Sequence, residues 1–332
     1  MLIPELDGIP APCPEARFEL RWEGRSMGSS WRVRAFGHAP AAVRSRQIGA
    51  GIAERLDIVV RQMSHYDPES CLSRFNRAPA ASWVELPEEM FRVLRCGIEI
   101  ASATCGWFDP TLGEAVSLWG FGPDPASVFP TEAAALGVLE RCGWRKLRLD
   151  PTRRAVWQPG GLQLNFGGIA KGFAVDFVLD WLRQGGLAAA LVEIGGELAG
   201  FGVKPDGTPW WVELENPPLV AQSLPETLLA LSGAAVASSG DWVQRQWAGS
   251  RSISHLIDPT TGSPADGPTA GASVIHDSCM IADAWATALC VAPPRLAMRL
   301  AAWHGLAARL VFRSGPAGLQ EWLSPAMRAM AA

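Results

Sequence analysis

The segment LNFGGIAKGFAVDFVLDWLRQGG (164–186) changes its period part-way along. Leu164 and Phe166 alternate with polar neighbours as in a strand, and Gly167–Gly168 supplies a turn. From Lys171 onward, Phe173, Phe177, Val178, Trp181 and Leu182 recur at helical spacing, with Asp176 and Asp180 off that face. Gly185–Gly186 closes the helix. The next run, LAAALVEIGGELAGFGV (187–203), reads as two strands joined through Gly195–Gly196. A strand, a helix and then two strands in a row is not βαβ alternation. It implies α+β: mixed sheets with packed helices, in one compact unit that leaves room for two lobes around a cleft.

Working outward, SWRVRAF (30–36) alternates as a strand with one exposed face, and 44–63 has the spacing of an amphipathic helix. The polar stretch SHYDPESCLSRFNRAPA (64–80) breaks the pattern, and Pro87, Glu88 and Glu89 then open a helix running to about Ala103. TEAAALGVLERC (131–142) predicts a short helix capped by Thr131 and stopped by Gly143. Strand-like runs follow at 145–149, 154–158 and 162–166. Helices at 279–291 and 294–304 are separated by Pro293–Pro294, and AARLVFR (307–313) reads as the closing strand. Residues 1–20, with four prolines, read as an irregular arm ahead of a single domain over 21–332.

The 332 residues would suit two domains at roughly 150 residues each, or one large one. With 29 basic and 33 acidic side chains, net −4, the chain is not built to wrap nucleic acid. No run reaches the roughly 18 to 20 apolar residues of a membrane span. The N-terminus lacks the basic-then-apolar pattern of an export signal, so a cytoplasmic location is expected. Seven cysteines without a CxxC fit buried thiols in a reducing compartment. Against 15 Trp and 12 Phe there is one tyrosine, Tyr66.

Three features carry possible chemistry. The Gly167–Gly168 turn opens a helix beside Lys171, an arrangement that can bind phosphate or merely turn the chain. Asp283 and Thr287 stand at i and i+4 in MIADAWATALC, putting two oxygens on one helix face for a hard cation such as Mg²⁺. Helix-end charge and back-bonding to a carbonyl would explain the same pair. His255, at the end of a strand before DPTTG, could serve as a general base or sit solvated. There is no Walker A loop, GxGxxG, GxSxG or HExxH.

Taken together, eight segments in order resemble the ApbE-type FAD:protein FMN transferase family. They are SMGSSW (26–31), SHYDPESCLSRFN (64–76), GWFDPTLGEAVSLWGFG (106–122), LNFGGIAKGFAVD (164–176), VEIGGELAGFG (192–202), VASSGDW (236–242), SHLIDPTTGSPA (254–265) and VIHDSCMIADAWATALCV (274–291). The resemblance covers residues 27 to about 291. It implies an enzyme that uses FAD and Mg²⁺, moves the FMN half to a Ser or Thr of an acceptor protein as a phosphoester, and releases AMP. It places Met27 and Tyr66 against the flavin, Trp107, Phe108 and Asp109 along the FAD site, and Asn165, Lys171 and Ile257 among the cofactor contacts. Asp283, Thr287 and the Gly168 carbonyl become metal ligands, and His255 the base. Where the family usually has Asp, this chain has Asn165, which keeps the hydrogen-bonding shape and loses a charge. Hydrolysis of FAD to FMN and AMP, or FAD binding without catalysis, are the alternatives. A monomer or homodimer is expected, with no nucleic-acid partner.

Overall fold

In the computed structural model, residues 1–2, 4, 11–124, 129–217, 224–248, 251–314 and 318–330 are described. Eight strands form one antiparallel sheet in the spatial order Phe18–Ser26, Ser29–Gly37, Ala189–Ile194, Glu197–Phe201, Ala235–Gly240, Thr269–His276, Ala307–Ser314, Gly318–Leu323. Both faces are apolar because alternate residues point to opposite sides. Val33, Ala35, Val192, Ile194, Ala237 and Val274 face the main core, whereas Phe36, Leu191, Val236 and Ile275 face a second one.

Over the main core lie the helices Ala170–Gln184 and Cys279–Val291, packed on the sheet and on each other. Ser45–Met63 and Glu88–Ala103 form a further layer on those two. The opposite face is covered by the pair Trp210–Glu213 and Leu228–Leu231, by Met327 of the Pro325–Ala329 helix, and by Leu2. A third, smaller core gathers Leu112, Trp119, Phe121, Val138, Ile253 and Ile257. The architecture is α+β, as the sequence implied.

Several boundaries differ from the sequence reading. The first strand begins at Phe18, inside the expected arm, and Leu2 bridges to Leu229. Residues 5–10 of the arm lie outside the described residues. The polar stretch after Met63 contains a helix, Cys71–Asn76, because Ser70 caps it by accepting from the Ser73 N–H. Residues 162–166 form no strand, only a bridge between Gln163 and Leu112, and 144–146 is a 3₁₀ turn. The 307–314 strand is not the last, since Gly318–Leu323 pairs with it at the sheet edge. Its glutamate and tryptophan at 321 and 322 cover that edge without the strict alternation of a half-buried strand.

The two helices covering the sheet meet with almost no clearance at Gly172. A Cβ on Gly172 would lie 2.3 Å from the Cys279 carbonyl oxygen and 2.8 Å from Asp283 Cβ. Gly172→Ala is therefore expected to cost about 1–3 kcal/mol by forcing the two helices apart. Urea unfolding measures this, and an unchanged midpoint would show that the contact can yield freely.

Candidate active site

Asp283 and Thr287 stand one turn apart on the Cys279–Val291 helix, as their spacing predicted. The start of that helix is fixed from outside. The Asp176 carboxylate accepts from the Ser278 hydroxyl at 2.7 Å, the Cys279 N–H at 2.8 Å and the Met280 N–H at 3.0 Å. Asp176 thus lies off the apolar face of its own helix because it caps the neighbouring one. Asp283 is buried, and its Oδ2 accepts from the Gly172 N–H at 3.0 Å. Burial raises its carboxyl above the usual range, opposed by the Lys171 ammonium and that N–H.

Thr287 reaches the same turn. A Cβ on Gly168 would fall 2.6 Å from Thr287 Oγ1, so backbone takes the space a side chain would occupy. Ser239 Oγ lies 3.1 Å from Thr287 Oγ1. Lys171, in the first turn of the Ala170–Gln184 helix, is paired with the buried Glu197. Burial raises the Glu197 carboxyl, and Lys171 works against that shift. Asn165 accepts from the Gly167 N–H at 2.8 Å, and its own N–H donates to the Pro110 carbonyl at 2.8 Å, tying the WFDP segment to the glycine turn.

His255 lies close enough to Lys171 for its ring to sense the ammonium. Burial pushes the imidazole down to about 4; the Gln244 carbonyl, 3.2 Å from Nδ1, pulls it up, Lys171 lowers it and Asp241 raises it. At neutral pH the ring is uncharged and can accept a proton. The Phe121 ring stands edge-on to it at 6.3 Å. Tyr66 donates to the Phe121 carbonyl at 3.1 Å and packs on His65, yet keeps 53% of its surface exposed. Tyr66 and His255 are thus brought together through Phe121.

Met27 occupies a two-residue hairpin turn with Gly28, at φ 50 and 73. A methionine in left-handed backbone costs energy that Asn or Gly would not, and its side chain lies partly buried against the main core. The turn adjoins the site: a Cβ on Gly195 would meet Ser29 Oγ at 2.8 Å and Lys171 Cδ at 3.3 Å. Trp107 and Asp109 line a cavity of about 340 Å³ with Cys105, Trp144, Arg145 and Thr260. The Asp109 carboxylate is occupied in holding the loop, accepting from Thr111 and from the Trp144 N–H. Burial raises it.

Phe108 and Ile257 have their side chains in the main and third cores. Glu197, Ser239 and Phe121 escaped the sequence reading, and Asp176 was read only as lying off its helix's apolar face, although all four lie in the quoted segments. The one legible signal was for Glu197, an acid directly after a Gly-Gly turn.

A model of the ApbE family matches residues 27–310. The chain belongs to the ApbE family. A Klebsiella pneumoniae relative named FAD:protein FMN transferase is 29% identical over 332 residues, 99% of this chain and 94% of its own. A Vibrio cholerae relative of the same name is 30% identical, over 96% of this chain and 94% of its own. Among solved structures, the apo Pseudomonas stutzeri flavinyl transferase ApbE superposes with a TM-score of 0.85 at 31% identity, covering 94% of this chain and 96% of that one. The Vibrio cholerae flavin transferase ApbE gives 0.85 at 30%, covering 94% and 99%. In this ApbE-family chain no helix among the described residues is long and apolar enough to cross a membrane.

The His255 ring should titrate near pH 4 in an NMR experiment, and not near 6.5. Linkage fixes the sign for stability. The unfolded chain takes up this proton near 6.5 and the folded one only near 4, so the contribution is complete above 6.5 and is lost as pH falls through that window. His255→Gln should flatten the slope in part, since His65 and His276 are shifted downward by burial as well.

Proposed function

We propose that this chain transfers the FMN portion of FAD to a Ser or Thr hydroxyl of an acceptor protein, using Mg²⁺ and releasing AMP. The observation that carries the reading is the convergence of Gly168, Asp283 and Thr287 beside Lys171, with an uncharged His255 in electrostatic reach. The donor set fits a hard cation. It offers one carboxylate, one hydroxyl and a backbone approach where a Cβ would clash, and Mg²⁺ takes few protein oxygens because it keeps water or substrate oxygens.

Asp283, Thr287 and the Gly168 carbonyl would hold Mg²⁺, which when bound neutralises charge on the pyrophosphate. His255 takes the proton of the acceptor hydroxyl, a poor nucleophile at neutral pH. The hydroxyl oxygen bonds to the FMN phosphorus, the bond from that phosphorus to the bridging oxygen breaks, and AMP leaves with that oxygen. Met27 and Tyr66 offer a polarisable and an aromatic surface suited to a flat ring.

Incubation with FAD, Mg²⁺ and a candidate acceptor should give a fluorescent flavin band that survives denaturing electrophoresis. Asp283→Ala should lower labelling by at least about 100-fold, and His255→Ala by about 100- to 10,000-fold. Release of FMN and AMP without a labelled acceptor would favour hydrolysis, and intact FAD would favour binding alone. Undiminished labelling by Asp283→Ala would remove the metal assignment.

A further inference from the structure

Glu197 opens the Glu197–Phe201 strand directly after the turn that lays Gly195 against the Lys171 side chain. Its side chain is 2% exposed and that of Lys171 28%, so the carboxylate is the more deeply buried partner of the pair. One carboxylate oxygen, Oε1, takes the lysine; the other, Oε2, is buried with no hydrogen-bond partner among the described residues. A pair kept for stability alone is an expensive choice, because burying a half-satisfied carboxylate costs more than an apolar pair of the same volume. The cost is understandable if the pair serves the site. A lysine side chain is flexible and has four methylenes to order, and Glu197 removes that freedom. Burial alone would drive the ammonium toward neutrality, but Glu197 and then Asp283 outweigh it and hold Lys171 above the ordinary lysine range.

We propose that Glu197 is a positioning residue that holds the Lys171 ammonium at the glycine turn, where it meets the pyrophosphate of the dinucleotide substrate. This rests on the function proposed above. Glu197 acts through Lys171 and contacts no reacting atom.

The test is a double-mutant cycle on the full chain with FAD, Mg²⁺ and an acceptor, using Glu197→Gln, Lys171→Met and the combination. Each single variant should lower kcat/KM for FAD by roughly 10- to 100-fold. The combination should be no worse than Lys171→Met alone to within about threefold. Inorganic pyrophosphate and riboflavin then serve as separate probes of the two halves of the site. Glu197→Gln should weaken pyrophosphate binding by a factor near its kinetic loss and leave riboflavin affinity unchanged. A general collapse of the site would weaken both. If Glu197→Gln fails to fold, Lys171→Met combined with Glu197→Met replaces the pair by apolar side chains and supplies a folded reference, against which Lys171→Met alone is compared. Multiplying single effects, wild-type kinetics in Glu197→Gln, or equal loss of both probes would overturn the inference. Absence of labelling by the wild-type chain would instead overturn the proposed function.

Discussion

The site depends on one close contact, backbone against helix, at the glycine turn. Gly168 lies against Thr287, and Gly172 against the Cys279 carbonyl and Asp283, at distances that no side chain would permit. This contact locks the Ala170–Gln184 helix to the Cys279–Val291 helix and brings the Gly172 N–H onto the Asp283 carboxylate. Asp176 reinforces the join from the same first helix, by receiving the orphan N–H groups at the start of the second. One helix therefore supplies a donor to Asp283 near its start and a cap to the helix that bears Asp283 within its second turn.

Charge follows from that packing. Bringing two helices and a strand start together buries Asp283, Glu197 and Lys171 within a region from which most water is excluded. In such surroundings each charge is costly unless opposed, and the ammonium is paired with Glu197 and attracted by Asp283. Burial, with a smaller contribution from the same ammonium, keeps the His255 ring from taking up a proton. On the proposed function, a cation-balanced pyrophosphate and a proton-accepting ring are compatible demands, because one lysine would contribute to both.

Much of this was legible in the sequence, and the reasons are local. The 3.6-residue spacing announced the helices at 44–63 and from Lys171 onward, since those faces are buried and periodic, while Pro87 with two acids and the Pro293–Pro294 break marked limits of two more. The i, i+4 oxygens of Asp283 and Thr287 were visible for the same reason. Ser239 was not, because its importance lies in a pairing across the fold with Thr287, and the acid after Gly195–Gly196 signalled Glu197 without revealing its partner Lys171. The 71–76 helix was hidden by its polar composition, being specified by the Ser70 cap and by buried Leu72 and Phe75. Phe108 and Ile257 show the converse. A residue in a site segment can have its side chain in the core, and only packing reveals which way it faces.

The third core explains how the remaining parts of the site are placed. Phe121 belongs to it, accepts from the only tyrosine through its carbonyl, and meets the His255 ring with its own. Gly120, one residue earlier, accepts from the Gln246 side chain, and Trp119 donates to the Gly262 carbonyl at 2.8 Å. Three successive residues, 119 to 121, therefore bind the two segments that flank His255 and the loop that carries Tyr66. Tyr66 can remain half exposed because its orientation comes from a backbone carbonyl and a neighbouring ring, and not from burial. The large sheet and its helices position the oxygens of Asp283 and Thr287 and the Lys171 ammonium, while the small core positions the Tyr66 and His255 rings.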